Sequence, residues 1–148
     1  MLRGRPDKGS VLLDAMIGMF ILVVAALIYS ATMAMSAVSR AKADEFTKAT
    51  SIVNRELESI KNLGYDNLTH DALAYYSLIS ATPATSPYSF TSVGATNDRI
   101  GTLLRDGTGT VAVTDESGTL RKVVVTLNWT SRTGARSVIA STELAQLK

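Results

Sequence analysis

A run of 25 consecutive uncharged residues, Ala15 to Ser39, constrains this chain more than any other feature. Asp14 is the only charge between Lys8 and Arg40. Ile17, Met19, Phe20, Ile21, Leu22, Val23, Val24, Leu27 and Ile28 fill the run without leaving a polar face. At ~1.5 Å per residue, about 20 apolar residues cross the hydrocarbon layer of a bilayer. The run therefore predicts a membrane-spanning helix. Two other readings stand beside it. A helix apolar on all sides inside a soluble core needs protein around its whole circumference, and the remainder, rich in Ser, Thr and Gly, is poorly suited to supply it. A secretory signal peptide has an apolar region of about 7–15 residues and a small-x-small cleavage site. Here the run is longer and a carboxylate stands at its start, although Ala34-Met35-Ser36 or Ala41-Lys42-Ala43 would serve as weak sites. Arg3, Arg5 and Lys8 precede the span against a single Asp7. That bias predicts a cytoplasmic N-terminus, with the rest of the chain beyond the inner membrane.

Composition narrows the chemistry. The 148 residues suit one domain with a modest core. The chain has no cysteine and one histidine, which removes disulfides, thiol nucleophiles, thiolate zinc sites and multi-histidine metal sites. A net charge of +2 gives no reason to expect a nucleic-acid partner. No enzyme activity and no cofactor are expected.

The join between the basic leader and the span reads Asp7-Lys8-Gly9-Ser10-Val11-Leu12-Leu13-Asp14-Ala15-Met16-Ile17. A short basic leader ends in glycine, four uncharged residues follow, and an acid then precedes a long apolar stretch. This resembles the class III signal of type IV pilin-like proteins: pilins, minor pilins and the pseudopilins of type II secretion. The resemblance implies a cleaved leader, residues 1–9, and a cut by prepilin peptidase between Gly9 and Ser10. It implies methylation of the new Ser10 amine and a role for Asp14 in assembly, pairing with the amine of a neighbouring subunit. It further implies partners: inner-membrane lipid, the peptidase, other pilin or pseudopilin subunits and an inner-membrane assembly platform. Loss of Arg3, Arg5 and Lys8 with Asp7 removes the whole net charge of +2. The departures from the family pattern are Ser10 where phenylalanine is usual, Asp14 where glutamate is usual, and no proline in residues 10–64. They fit a minor subunit better than a major pilin.

The acid has a physical rationale of its own. A carboxylate among lipid-facing residues costs about 2.5–3.5 kcal/mol at a helix centre and less near an end. Ser10 and Asp14 are four residues, or one helical turn, apart. An α-amine is largely charged near neutrality. An acid in the first turn of a helix also suits the positive end of its dipole, which by itself would explain a surface helix.

Residues 10–39 are the expected transmembrane half of the helix and residues 40–64 its amphipathic half. Phe46, Ala49, Val53, Leu57 and Ile60 recur at spacings of three and four and predict one apolar stripe. Gly64 is expected to stop the helix in the left-handed cap position. Residues 65–108 form a variable connection, with a short helical turn near Leu68–Ile79 and breaks at Pro83 and Pro87. Tyr75, Tyr76, Tyr88 and Phe90 are expected to pin this segment to the core. Residues 109–148 predict an antiparallel β-meander. Its strands are Thr110–Thr114, Leu120–Thr130 and Arg136–Leu144, with turns at Asp115–Gly118 and Ser131–Gly134. Val123, Val125, Leu127 and Trp129 share the face that covers the helical stripe. The expected fold is α+β and pilin-like, a long N-terminal helix packed on a small antiparallel sheet. The last strands resemble those of minor pilins of the PilV kind.

Other motifs carry bland readings. Gly107-Thr108-Gly109 precedes a strand and not a helix, so it reads as a turn and not a phosphate loop. His70 beside Asp71 lacks a recognisable nucleophile and reads as a solvated loop residue. Asn67-Leu68-Thr69 and Asn128-Trp129-Thr130 match a glycan acceptor pattern by accident, and Asp115-Glu116 is a weak calcium signal. The function implied is that of a minor pilin or pseudopilin, stored in the inner membrane and then assembled into a periplasmic or cell-surface filament. The alternative is a single-pass membrane-anchored binding module that never polymerises. A DNA-uptake pilin ranks lower, because no basic stripe with interleaved aromatics is evident.

Overall fold

A computed structural model of the chain describes residues 8–93 and 98–146. The fold is α+β, with a long N-terminal helix and a four-stranded antiparallel sheet. Helix α1 (Lys8–Leu63) is 56 residues long and unbroken, in keeping with the lack of any proline in it. The chain divides into two compact units, Met1–Ala41 and Lys42–Lys148.

In the first unit α1 is apolar on every side. Its most apolar 18-residue window has a mean hydropathy of 2.7, and none of that window is buried. The length and composition suffice to cross a membrane.

In the second unit α1 behaves as an amphipathic helix. Ala49, Ile52, Val53, Leu57 and Ile60 are buried in one cluster with Val111, Val123, Val125, Leu127 and Trp129 of the sheet. Burying side chains of this size contributes roughly 1.5–3 kcal/mol each, so this stripe is enough to hold the helix on the sheet. Phe46 departs from expectation: it is 56% exposed. Helical periodicity carries the stripe back to Phe46, but continuous packing begins one turn later, at Ala49.

Gly64 ends α1 with φ 76° and ψ 170°. The positive φ favours glycine as expected, but the extended ψ is not that of a left-handed helical cap. It turns the chain into a 3-10 turn, Tyr65–Asn67, followed by α2 (His70–Tyr75), which Thr69 caps by accepting from the Ala72 amide. Leu68, Leu73, Leu78 and Ile79 anchor this segment in the core. Of the four aromatics expected to pin it, Phe90 is buried and Tyr88 partly so, whereas Tyr75 and Tyr76 are exposed and stack edge-to-face on each other.

The sheet starts earlier than expected. Strand β1 (Tyr88–Phe90) pairs with strand β4 (Thr108–Ser117), so the connecting region contributes an edge strand. Strands β2 (Ser92–Val93) and β3 (Asp98–Arg99) form a separate small pair, followed by α3 (Ile100–Leu103). Strands β4 (Thr108–Ser117), β5 (Leu120–Ser131) and β6 (Gly134–Ala145) form the meander, and the sheet order is β1-β4-β5-β6. The predicted turn at Asp115–Gly118 is corrected: β4 runs to Ser117, and Asp115 pairs with Arg121 across the ladder. On β5 the alternation is as expected, with Val123, Val125, Leu127 and Trp129 all buried. Val138, Ala140 and Leu144 of β6 pack against the same cluster.

Candidate functional site

Gly9 and Ser10 both lie in α1, while leader residues 1–7 fall outside the described residues. Asp14 is exposed, flanked by exposed Val11, Leu12, Leu13, Met16 and Ile17. Among the described residues it has no hydrogen bond or ion pair. Because α1 begins at Lys8, no acid lies in its first turn, so the helix-dipole explanation of Asp14 fails for the uncut chain. A carboxylate on a bare apolar surface is costly wherever lipid covers that surface. The large side chains that follow, from Phe20 and Ile21 to Met35 and Val38, are likewise exposed.

The soluble unit contains a second acid in apolar surroundings, which periodicity alone did not reveal. Glu56 is fully buried within the core-facing stripe of α1, between Val53 and Ile60. Neither carboxyl oxygen has a hydrogen-bond partner among the described residues. Desolvation pushes its pKa up from 4.5 to about 8. Its place at i+3 from Val53 and i−4 from Ile60 was the available signal, and its polar type concealed it.

A cavity of about 340 Å³ lies between the start of this half of α1 and the β5–β6 hairpin. Lys42, Ala43, Glu45 and Phe46 line it from the helix, and Trp129, Ser131 and Arg136 from the hairpin. Trp129 and Arg136 are directly opposite in the ladder, so their side chains share a face. The indole Nε1 of Trp129 is buried and has no acceptor among the described residues.

The remaining motifs are structural. A Cβ on Gly109 would stand 2.3 Å from the Phe90 ring, its ladder partner, and one on Gly107 would stand 2.5 Å from Ile100 Cγ2. Both glycines thus allow close approach of the side chains that face them. Asp115 pairs with Arg121 at 2.7 Å and Glu116 with Lys122 at 3.5 Å, so each acid is already neutralised. Arg121 also donates to the Tyr65 carbonyl at 3.0 Å and stacks on the Tyr65 ring, latching the turn after α1 to the sheet. His70 lies in the first turn of α2 and is more enclosed than expected, with Nε2 buried and Nδ1 3.1 Å from Asp71 Oδ1. No hydroxyl hydrogen-bonds to it, and no cluster of three or more potential metal ligands occurs, among the described residues.

No protein-family model matches the chain, and neither the curated proteins nor the solved structures contain a match.

Proposed function

We propose that this chain is a pilin-like structural subunit, a minor pilin or pseudopilin. It is inserted in the inner membrane with its N-terminus in the cytoplasm, cut between Gly9 and Ser10, and methylated on the Ser10 amine. It is then packed by its apolar helix half into a type IV pilus or a type II secretion pseudopilus. One observation carries this reading. The sequence Gly9-Ser10-Val11-Leu12-Leu13-Asp14 heads an uncharged helical run whose large side chains are all exposed, and the carboxylate at its start has no partner among the described residues. A bare apolar helix suits lipid first and the helices of neighbouring subunits afterwards. The lone Asp14 suits the amine that cleavage creates on such a neighbour.

The intact mass of the protein from cells with and without prepilin peptidase tests this. A chain starting at Ser10, with an added methyl group, is expected only where the peptidase is present. An unprocessed N-terminus in both strains would overturn the proposal and favour a membrane-anchored module that does not polymerise.

A further inference from the structure

The cavity beside Phe46 combines three features that one class of ligand would satisfy together. Its lining is largely apolar, with Trp129 and Phe46 the large apolar side chains in it. Its charges are two cations, Lys42 and Arg136, and one carboxylate, Glu45. Lys42 and Glu45 have no ion-pair partner among the described residues, and Arg136 donates only to Thr133 Oγ1, at 3.2 Å. The two cations suit a phosphate monoanion, and the carboxylate suits an amine a short linker away. The apolar side chains suit what such a headgroup is attached to.

The chain itself limits where this cavity can be. Lys42 comes three residues after Ser39, the last residue of the uncharged run. Three residues reach at most about 11 Å, however the backbone runs. The polar layer on each side of the hydrocarbon core is roughly 5–8 Å deep. With Ala15–Ser39 in the hydrocarbon, Lys42 is therefore tethered close to headgroup depth, where tryptophan and basic side chains are at home.

We infer that this cavity binds the phosphoethanolamine headgroup of a membrane phospholipid, with the phosphate on Lys42 and Arg136 and the ammonium on Glu45. The inference rests on the membrane-spanning part of the proposed function. It assigns to the soluble domain a task while the subunit is stored: fixing the domain to the bilayer surface. A quaternary choline ammonium has no N–H to donate to Glu45, and a glycerol headgroup has no cation, so both should bind less well.

Trp129 is the only tryptophan, so its emission reports on the cavity without a label. The test uses the full chain in micelles of an uncharged sugar-headgroup detergent. It is titrated with short-chain phosphatidylethanolamine, phosphatidylcholine or phosphatidylglycerol, and with soluble phosphoethanolamine. A saturable change is expected with phosphatidylethanolamine, at concentrations about fivefold or more below those the other ligands require. Arg136→Ala should weaken it by about fivefold or more, and Glu45→Gln should remove the preference over phosphatidylcholine. Lys61→Ala, remote on the same helix, should leave it unchanged. Lys42→Ala replaces Arg136→Ala if the latter no longer melts cooperatively. Equal responses to the three lipids, an Arg136→Ala variant that binds normally, or soluble phosphoethanolamine binding as tightly as the lipid would overturn the inference. So would a signal that follows only protein concentration, which would mark the cavity as a contact between copies. A chain that needs micelles but shows no headgroup preference refutes this assignment alone. A chain soluble without them refutes the membrane reading beneath it.

Discussion

The two halves of α1 both carry large apolar side chains, and these meet opposite fates. From Val11 to Val38 the large apolar side chains stand exposed, whereas from Ala49 to Ile60 a stripe of them is buried under the sheet. The difference is patterning. The first half has no polar face, so no single sheet could cover it. The second half confines its apolar residues to one face, and charged Asp44, Lys48, Arg55 and Lys61 take up the rest, Asp44 and Lys48 as an i,i+4 pair at 2.7 Å. Each half also holds one acid in apolar surroundings. Asp14 lies exposed on the bare surface, while Glu56 is sealed inside with no hydrogen-bond partner among the described residues. One helix thus carries one apolar surface buried within the chain and another that the chain leaves exposed.

Truncation separates the halves most sharply. Ile60→Ala should cost the folded domain about 2–5 kcal/mol, read as a lower melting temperature by Trp129 fluorescence of the full chain in micelles. Ile21→Ala should change the same melt by less than about 0.5 kcal/mol. Equal effects would mean that the first half is packed on protein after all.

The two acids should differ in kind. Glu56 has a folded pKa of about 8 against 4.5 for the free side chain. Between those values the folded state holds a proton that the unfolded state has released. Stability is therefore greatest below about pH 4.5 and falls as pH rises towards 8, by at most about 1.4 kcal/mol per pH unit from this group. Glu56→Gln should flatten that slope in a pH series of melts, and an unchanged slope would place its cause elsewhere. Asp14→Ala should leave the melt and membrane insertion intact while reducing recovery of the subunit in sheared filaments. Normal recovery would remove its proposed role.

Much of this contrast was legible in the sequence, because burial on one face leaves a period. The alternation of Val123, Val125, Leu127 and Trp129 in β5 and the spacing of Ala49, Val53, Leu57 and Ile60 in α1 are such records. Period says nothing about where a covering surface ends, so it carries the stripe back to Phe46 although the continuous packing begins at Ala49. It also takes buried residues to be apolar, and so passes over Glu56. Strand β1 has three residues and follows two prolines, too short to show alternation. The reach of β4 through Asp115 and Glu116 was hidden because acids near a glycine read as a turn, whereas Arg121 and Lys122 across the ladder neutralise them. For the candidate site, the Gly9–Asp14 signature is local and readable. The Phe46–Trp129–Arg136 cavity joins residues distant in sequence and could not be read in advance.

The smallest effect marks the border between the halves. Phe46→Ala should cost less than about 1 kcal/mol in the melt, since the ring is 56% exposed. A loss as large as that of Ile60→Ala would move the start of the packed half a turn earlier.

Alkaline extraction of membranes containing the full chain tests most directly whether the bare half of α1 is covered by lipid. The chain is expected to stay in the membrane pellet and to leave it only with detergent. Recovery in the aqueous supernatant as a folded, detergent-free monomer would contradict the account.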